Sequence, residues 1–585
     1  MKFFHVYNDR FYEGLEKNGL VNKDTGFKIQ HDFAMPAEAK FNQFAAKGSK
    51  LHTLIKEKKI PFYVDRIAGG ITWHTYAFDR ELIKEYKEIL GDWFLGFQLH
   101  ESGSNRRRSE WPRMIQVMGS KGPYDLKELS EKMLSKTART PEGERLHGFS
   151  QDTAEYYSTK TYAETYGEFI EEMKELFARR MADTDGNILP CDSYFLATKL
   201  QHEMGMQTFM PEVGCQIPLM RLAVALARGM AKSAGKTWGA YYECWREVPG
   251  VGYCMPCFND DPSNEWYLPQ EMHGDDFSSY GENGGSSRLL QNRIYYFALM
   301  SGADYFSEEW GLNCSYSNME TFELSEYGQV KKDFINTALT LQNIKAVTPF
   351  AIVLPKEYGC IELPDIFTPW VLGEHRGDYL SSELTEEERH YFGHLEDVLK
   401  LFYARHGEVY GNEGHVLTNS RLGDVADIIY EDVDAAAFAN YKYLIDATPD
   451  GKFAKAMAGK GLQILESGDI AKLEATVKEL IPQVMDCYVD GLHWVVSTGE
   501  NGRKFVTIFN NEGNERDLDK GNIIHSEADR TVRVDFLEPM NVKIVAQSAR
   551  EIAISESTTT SYAVKVPAAG FVVLEYTQKK KDLGK

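Results

Sequence analysis

Apolar positions in the first 350 or so residues follow two patterns that alternate along the chain. Short runs rich in β-branched and aromatic residues fall at Phe3–Tyr7, Phe27–Asp32, Phe62–Asp65, Trp93–Leu99, Thr208–Pro211, Trp238–Glu243 and Ala303–Ser307. Between several of them apolar residues recur at helical spacing, at Glu81–Leu90, Leu219–Lys232 and Arg288–Met300. Strand and helix in alternation predict a parallel sheet with helices outside it. A last strand after the helical run Val330–Ile344 brings the count to eight, which in number and length fits one (β/α)8 barrel. Two excursions interrupt the pattern. The first, 102–205, follows the fourth strand and contains a strong helical run at Tyr162–Met181. The second, 244–285, is rich in Gly, Pro, Asn, Asp and aromatics, which is loop composition. Long loops on the C-terminal face of such a barrel usually build a substrate pocket.

Beyond residue 350 the pattern changes. A buried-strand run at Ala351–Leu354 leads to a helix at Glu386–Arg405, strands at Ile428–Tyr430, Tyr443–Ile445 and Leu462–Leu465, and a helix at Ala471–Leu480. From about 483 short alternating strands take over, at His493–Ser497, Lys504–Asn510, Thr531–Asp535, Val542–Ala546, Ser561–Val566 and Phe571–Tyr576. They are separated by turn signals such as GENG and NEGN, the pattern of a β-sandwich. The expected class is α/β: a TIM barrel over 1–348, a small α/β domain over 349–482 and a β-sandwich over 483–578.

Composition narrows the partners. A net charge of −22 argues against nucleic acid and anionic membrane. No apolar stretch is long enough to span a bilayer, and the first residues lack the apolar run of a signal peptide. Eight cysteines in so long a chain do not make a disulfide scaffold, so a reduced, cytoplasmic protein is expected. Nine Trp and 32 Tyr leave ample flat surface for stacking on sugars.

Catalytic residues of a barrel come from the C-terminal ends of its strands. Reading WFLGFQLHE as the fourth strand, TFMPEVG as the fifth, WGAYYE as the sixth and ADYFSEEWG as the seventh puts Glu101, Glu212, Glu243, Glu308 and Glu309 there. Carboxylates directly after apolar strands are costly to bury unless they pair or bind something. Cleavage of a glycosidic bond needs two of them, one acid and one nucleophile or base. Strands four and seven face each other across a barrel mouth, so Glu101 and Glu309 could flank one sugar. Salt-bridged or helix-capping glutamates are the competing reading of any single one. Trp73, Trp245, Trp266 and Trp310 offer stacking faces, as do Trp111 and Tyr267. Asp32, Asp65 and Arg66 (with His31) are placed to hydrogen-bond hydroxyls, and Tyr242 stands beside Glu243 where it could orient a nucleophile.

Here the residues carry a resemblance. DWFLGFQLHESGSN looks like the fourth strand of clan A retaining glycoside hydrolases, which ends in Asn-Glu with the Glu as acid/base. FSEEWG resembles their seventh strand, where the nucleophile is often followed by an aromatic residue and Gly. The resemblance implies Glu101 as acid/base and Glu309 as nucleophile, with Glu308 the near alternative. One departure stands out: His100 occupies the position of the Asn that binds the sugar 2-hydroxyl. The order of domains is similar to that of family-42 β-galactosidases, whose middle domain resembles a class I glutamine amidotransferase and mediates trimer formation. It implies an amidotransferase-like middle domain and a homo-oligomer, dimer or trimer.

The sequence therefore predicts a retaining, exo-acting glycoside hydrolase with a β-linked carbohydrate substrate and no cofactor. Glu212, Glu243 and His100 line its pocket. An inverting glycoside phosphorylase of similar architecture, with Arg106–Arg108 as a phosphate site, and a non-catalytic carbohydrate-binding protein are the alternatives. Cys254-Met-Pro-Cys257 with Cys244 has metal-ligand spacing, but a single such pair reads first as reduced cysteines near a pocket. Gly235-Lys236-Thr237 is no phosphate loop, since it closes a helix and enters a strand.

Overall fold

A computed structural model of the chain describes residues 1–30, 37–67, 78–100, 111–133, 151–192, 197–213, 220–244, 286–309, 315–356, 386–403, 417–517 and 521–579, apart from the single positions 165, 207, 319, 421, 549 and 551. Eight parallel strands close into a barrel: β1 (Lys2–Val6), β2 (Thr25–Ile29), β3 (Phe62–Ile67), β4 (Phe94–His100), β5 (Ile188–Asp192), β6 (Thr208–Val213), β7 (Thr237–Glu243) and β8 (Tyr305–Glu309). The predicted barrel is there, but its count needs correction. The fifth strand is Ile188–Asp192, inside what read as an excursion. The runs ending in Glu212, Glu243 and Glu309 are therefore the sixth, seventh and eighth strands. Sequence reasoning passes over β5 because it is short and contains Pro190, which cannot donate to a ladder. No ninth unit is needed. Lys345–Ala346, after the helix Glu326–Ala338, pairs antiparallel with His493–Thr498 instead of joining the barrel.

Two-residue alternation divides the barrel strands and is reset at the register shifts between β3 and β4. Phe4, Tyr63, Leu95, Leu189, Cys191, Met210, Tyr241 and Tyr305 form the buried interior cluster. Phe3, Phe27, Phe62, Phe97, Trp238 and Phe306 point outward to the helices and the main core. A buried ion pair joins the interior: Lys28 Nζ lies 3.2 Å from Asp65 Oδ2 and donates to the Glu308 carbonyl at 2.6 Å. Gly96 (φ +84°) lets β4 meet β5, since a Cβ there would stand 2.1 Å from the Asn187 carbonyl oxygen.

Past the barrel, Phe350–Leu354, Ala426–Tyr430, Tyr443–Asp446 and Ile464–Glu466 form a four-stranded parallel sheet. Two antiparallel sheets of five and four strands follow, and they meet where the rings of Phe536 and Tyr576 lie 5.1 Å apart. The helix Met220–Ala234 binds barrel to parallel sheet. It is buried all round from Met220 to Ala231. Arg221 donates to Asp424 at 3.0 Å, while Arg228 and Lys232 each reach Asp427 at 2.5 Å. Gly229 sits where the helix crosses Ala426–Tyr430, and an added Cβ would lie 2.2 Å from the Ile428 carbonyl oxygen. Among the described residues no helix is long and apolar enough to cross a membrane.

Two predictions follow from this seam. Gly229→Ala places a methyl against backbone that cannot retreat, and should lower unfolding stability by roughly 1–3 kcal/mol, read by urea denaturation. The second concerns His493, which bonds Asp424 at 2.7 Å. Burial pushes its imidazole down from 6.5 to about 4, against the pull of Asp424. Burial alone would raise the Asp424 carboxyl, but Arg221 and His493 hold it well below the usual carboxylate range. The unfolded chain takes up the His493 proton near pH 6.5 and the folded protein only near 4. Stability is thus full above pH 6.5 and falls as pH drops toward 4, by roughly 3 kcal/mol for this group. His493→Gln should flatten the difference between unfolding midpoints at about pH 7 and pH 5.

Candidate active site

The ends of β6, β7 and β8 are built alike. Thr208, Met210 and Glu212, then Gly239, Tyr241 and Glu243, then Tyr305, Ser307 and Glu309 share the inward side of their strands. Each strand thus carries apolar or hydroxyl side chains into the barrel and brings an inward carboxylate to its last or next-to-last position. Glu243 is register partner of Glu309, and Glu212 of Tyr241. A carboxylate oxygen from each of Glu212, Glu243 and Glu309 lies within 4.8 Å of the other two. All three are buried, at 1–2% exposure. Like charges so close and so dry cannot all be carried without a proton or a cation among them.

One cation in place is Arg66. It sits in a bulge of β3, where the register with β4 shifts between Val64 and Ile67. Its φ of +55° is left-handed, a conformation that costs a non-glycine residue about 1–3 kcal/mol and is found where surroundings enforce it. The Arg66 amide donates to Gln98 Oε1 at 3.2 Å, and its guanidinium donates to Glu309 and to His100 Nε2. The same His100 nitrogen stands 3.3 Å from Glu212 Oε1. A ring nitrogen that accepts from Arg66 cannot also donate to Glu212, so the proton on His100 decides which partner it holds. Below them, burial first, then the charges of Asp65 and Glu309, push the Tyr241 phenol well up. It stays an O–H and donates to Asp65 at 3.2 Å.

Of the residues singled out from sequence, the fold brings together Asp65, Arg66, His100, Glu212, Glu243 and Glu309. It sends two others the opposite way. Glu308 faces outward, where Tyr295 donates to it and Lys331 lies 2.5 Å away. Tyr242 also faces outward, where it bonds Ser286, which in turn bonds Tyr327. Both alternate with true inward residues, and a one-position error in facing moves a side chain to the other side of the barrel. Trp111 is core rather than platform: fully buried, it packs on Tyr157 and donates to Glu172 at 2.9 Å. Cys244 lies behind the strands and donates to the Glu309 carbonyl at 3.0 Å. Glu101, Asp32, Trp73, Trp245, Trp266, Trp310, Cys254 and Cys257, together with Arg106–Arg108, lie outside the described residues.

Three interior residues escaped sequence reasoning. Lys28 was legible in principle, as a lone charge in the strand TGFKI. Tyr241 shares Glu243's side by alternation. Cys191 belongs to the overlooked fifth strand.

No family model and no curated protein matches the chain. Among solved structures it is similar to an α-L-fucosidase isoenzyme 2 from Paenibacillus thiaminolyticus, at 10% identity, covering 98% of this chain and 97% of that one with a TM-score of 0.41. A glycoside hydrolase family 30 subfamily 8 xylanase from Clostridium acetobutylicum aligns at 8% identity over 98% and 95% of the two chains, TM-score 0.34. A family-27 β-L-arabinopyranosidase from Geobacillus stearothermophilus aligns at 10% identity over 100% and 97%, TM-score 0.22. Likenesses of this size do not extend to a site or an activity.

The carboxylate cluster makes a stability prediction that needs no substrate. Glu243→Gln removes one of three crowded charges and should raise unfolding stability at neutral pH by about 1 kcal/mol. A urea midpoint that stays or falls would mean that the three charges are already balanced.

Proposed function

We propose that the protein is a glycoside hydrolase, retaining and exo-acting on a β-linked glycoside or small oligosaccharide. What carries the proposal is the convergence of three buried carboxylates at the C-terminal mouth of a closed parallel barrel. Glycosidic cleavage asks for two such groups in different charge states, and a double displacement asks for a spacing of about 5–5.5 Å, against roughly 6.5–9.5 Å for inversion. Carboxylate oxygens of Glu212, Glu243 and Glu309 within 4.8 Å of one another suit the shorter spacing for a pair drawn from these three, such as Glu243 and Glu309. Arg66 on Glu309 supplies the difference in charge: a carboxylate held by a guanidinium stays anionic, as a nucleophile must.

In this reading Glu309 attacks the anomeric carbon while Glu101, the residue after the end of β4, gives its proton to the leaving oxygen. Glu101 then takes a proton from water, and the water cleaves the glycosyl ester on Glu309. The sugar leaves with its original anomeric configuration. A specific observation favours a second assignment within the same chemistry. With β7 ending at Glu243, the seventh-strand position that the resemblance gives to the nucleophile falls on Glu243.

The test is hydrolysis of 4-nitrophenyl α- and β-glycosides, with and without phosphate, by the wild type and by Glu101→Gln, Glu243→Gln and Glu309→Gln. Nitrophenol release lost in Glu309→Gln, and reduced roughly 10²–10⁴-fold in Glu101→Gln, is the expected result. Loss in Glu243→Gln with activity kept in Glu309→Gln moves the nucleophile to β7. Turnover that requires phosphate overturns the hydrolase assignment, and activity that survives all three changes overturns the assignment of these residues.

A further inference from the structure

We propose that His100, Cys191 and Glu212 bind one divalent ion of the zinc class at the barrel mouth, with a fourth coordination position open for a water or substrate hydroxyl. The three residues stand on successive strands, β4, β5 and β6, and all point inward. His100 and Cys191 are direct register partners. One ligand atom from each lies within 4.8 Å of the others, and the three side chains are 0–1% exposed. His100 Nε2 and Glu212 Oε1 are 3.3 Å apart. Two ligands on one tetrahedral zinc, at bond lengths of about 2.0–2.2 Å, stand about 3.4 Å from each other, so this pair is already at chelating distance.

Donor chemistry narrows the ion. A thiolate, an imidazole and a carboxylate suit zinc and disfavour magnesium and calcium, which take oxygen. Three protein ligands with a vacant fourth position is the arrangement of catalytic rather than structural zinc. The charge balance points the same way. The described residues bring three carboxylates (Glu212, Glu243, Glu309) and one guanidinium (Arg66) to the mouth, with Lys28 matched to Asp65. With the Cys191 thiolate the named groups carry four negative charges against one positive, and a divalent ion offsets two of them.

Arg66 is then a competitor. The lone pair of His100 Nε2 goes either to the Arg66 guanidinium or to the metal, not to both. Arg66 is a quarter exposed and also holds Glu309, so it can release His100 and keep its other partner. The ion leaves Glu243 and Glu309 to proton and nucleophile chemistry and withdraws Glu212 and His100 from it.

The experiment uses the full chain and no sugar, so its outcome is independent of the glycosidase assignment. Protein stripped by chelator dialysis is titrated with Zn²⁺ by calorimetry and with Co²⁺ by absorption, where a cobalt–thiolate charge-transfer band reports a cysteine ligand. One ion per chain at this site and a thiolate band are expected. Cys191→Ser should abolish the band, and His100→Ala should weaken binding by roughly ten- to hundredfold. Arg66→Ala changes no ligand and should tighten binding, which keeps the proposal testable where a ligand variant misfolds. The double variant Cys254→Ser/Cys257→Ser should leave band and affinity in place. Absence of Zn²⁺ and Co²⁺ binding, a band that survives Cys191→Ser, or a band lost only in the Cys254/Cys257 variant would overturn the site.

Discussion

Closure of a parallel barrel leaves each strand residue only two directions, in or out, and the side is settled by parity along the strand. The carboxylates at this mouth depend on that parity, and Arg66 enters where a bulge breaks it. Glu309 and Glu308 are neighbours in sequence with equal burial, yet one joins Glu243 and Glu212 while the other is tied to Lys331 and Tyr295 in the helical layer. Interior rings at Tyr63, Tyr241 and Tyr305 fill the barrel beneath, so the inward carboxylates cannot sink further and are held together at the rim. Lys28 completes the scaffold by joining Asp65 on β3 to the backbone of β8 through one ammonium group.

At that mouth the backbone fixes where Arg66 stands. Arg66 reaches Glu309 only because the β3 bulge holds its residue in a left-handed conformation. That local strain is maintained by the surrounding ladder, and what it produces is a guanidinium on one carboxylate of the three. Selecting which group ionises is the difficulty in any acid–base site made of like groups. Among the described residues, Arg66 is placed asymmetrically, on Glu309.

Much of this was legible in the chain. Alternating strand and helix patterns give the barrel, the parallel sheet and the antiparallel strands after 483, and Arg288–Met300 falls where the periodicity put it. The converging glutamates were legible as well, because several carboxylates ending apolar strands together are harder to explain as ion pairs than any one of them. Numbering was not. Pro190 breaks the strand signature of β5, and that omission shifted every later strand by one. Facing at a double Glu was not legible either, since periodicity of two places a pair of adjacent residues only once an inward neighbour such as Ser307 is fixed. Arg66 was noted for its position, but its reach to β8 comes from a bulge, which leaves no mark on composition.

The helix Met220–Ala234 has a consequence for how this chain can be cut. Its two arginines end on Asp424 and Asp427, which belong to sequence two hundred residues away, and its apolar surface is covered on both sides. The strands that carry Glu212 and Glu243 are the ones immediately before and after it. A barrel separated from the parallel sheet would expose buried guanidinium groups and an apolar helix between its two carboxylate-bearing strands. Barrel mouth and parallel sheet are therefore held together as a single part.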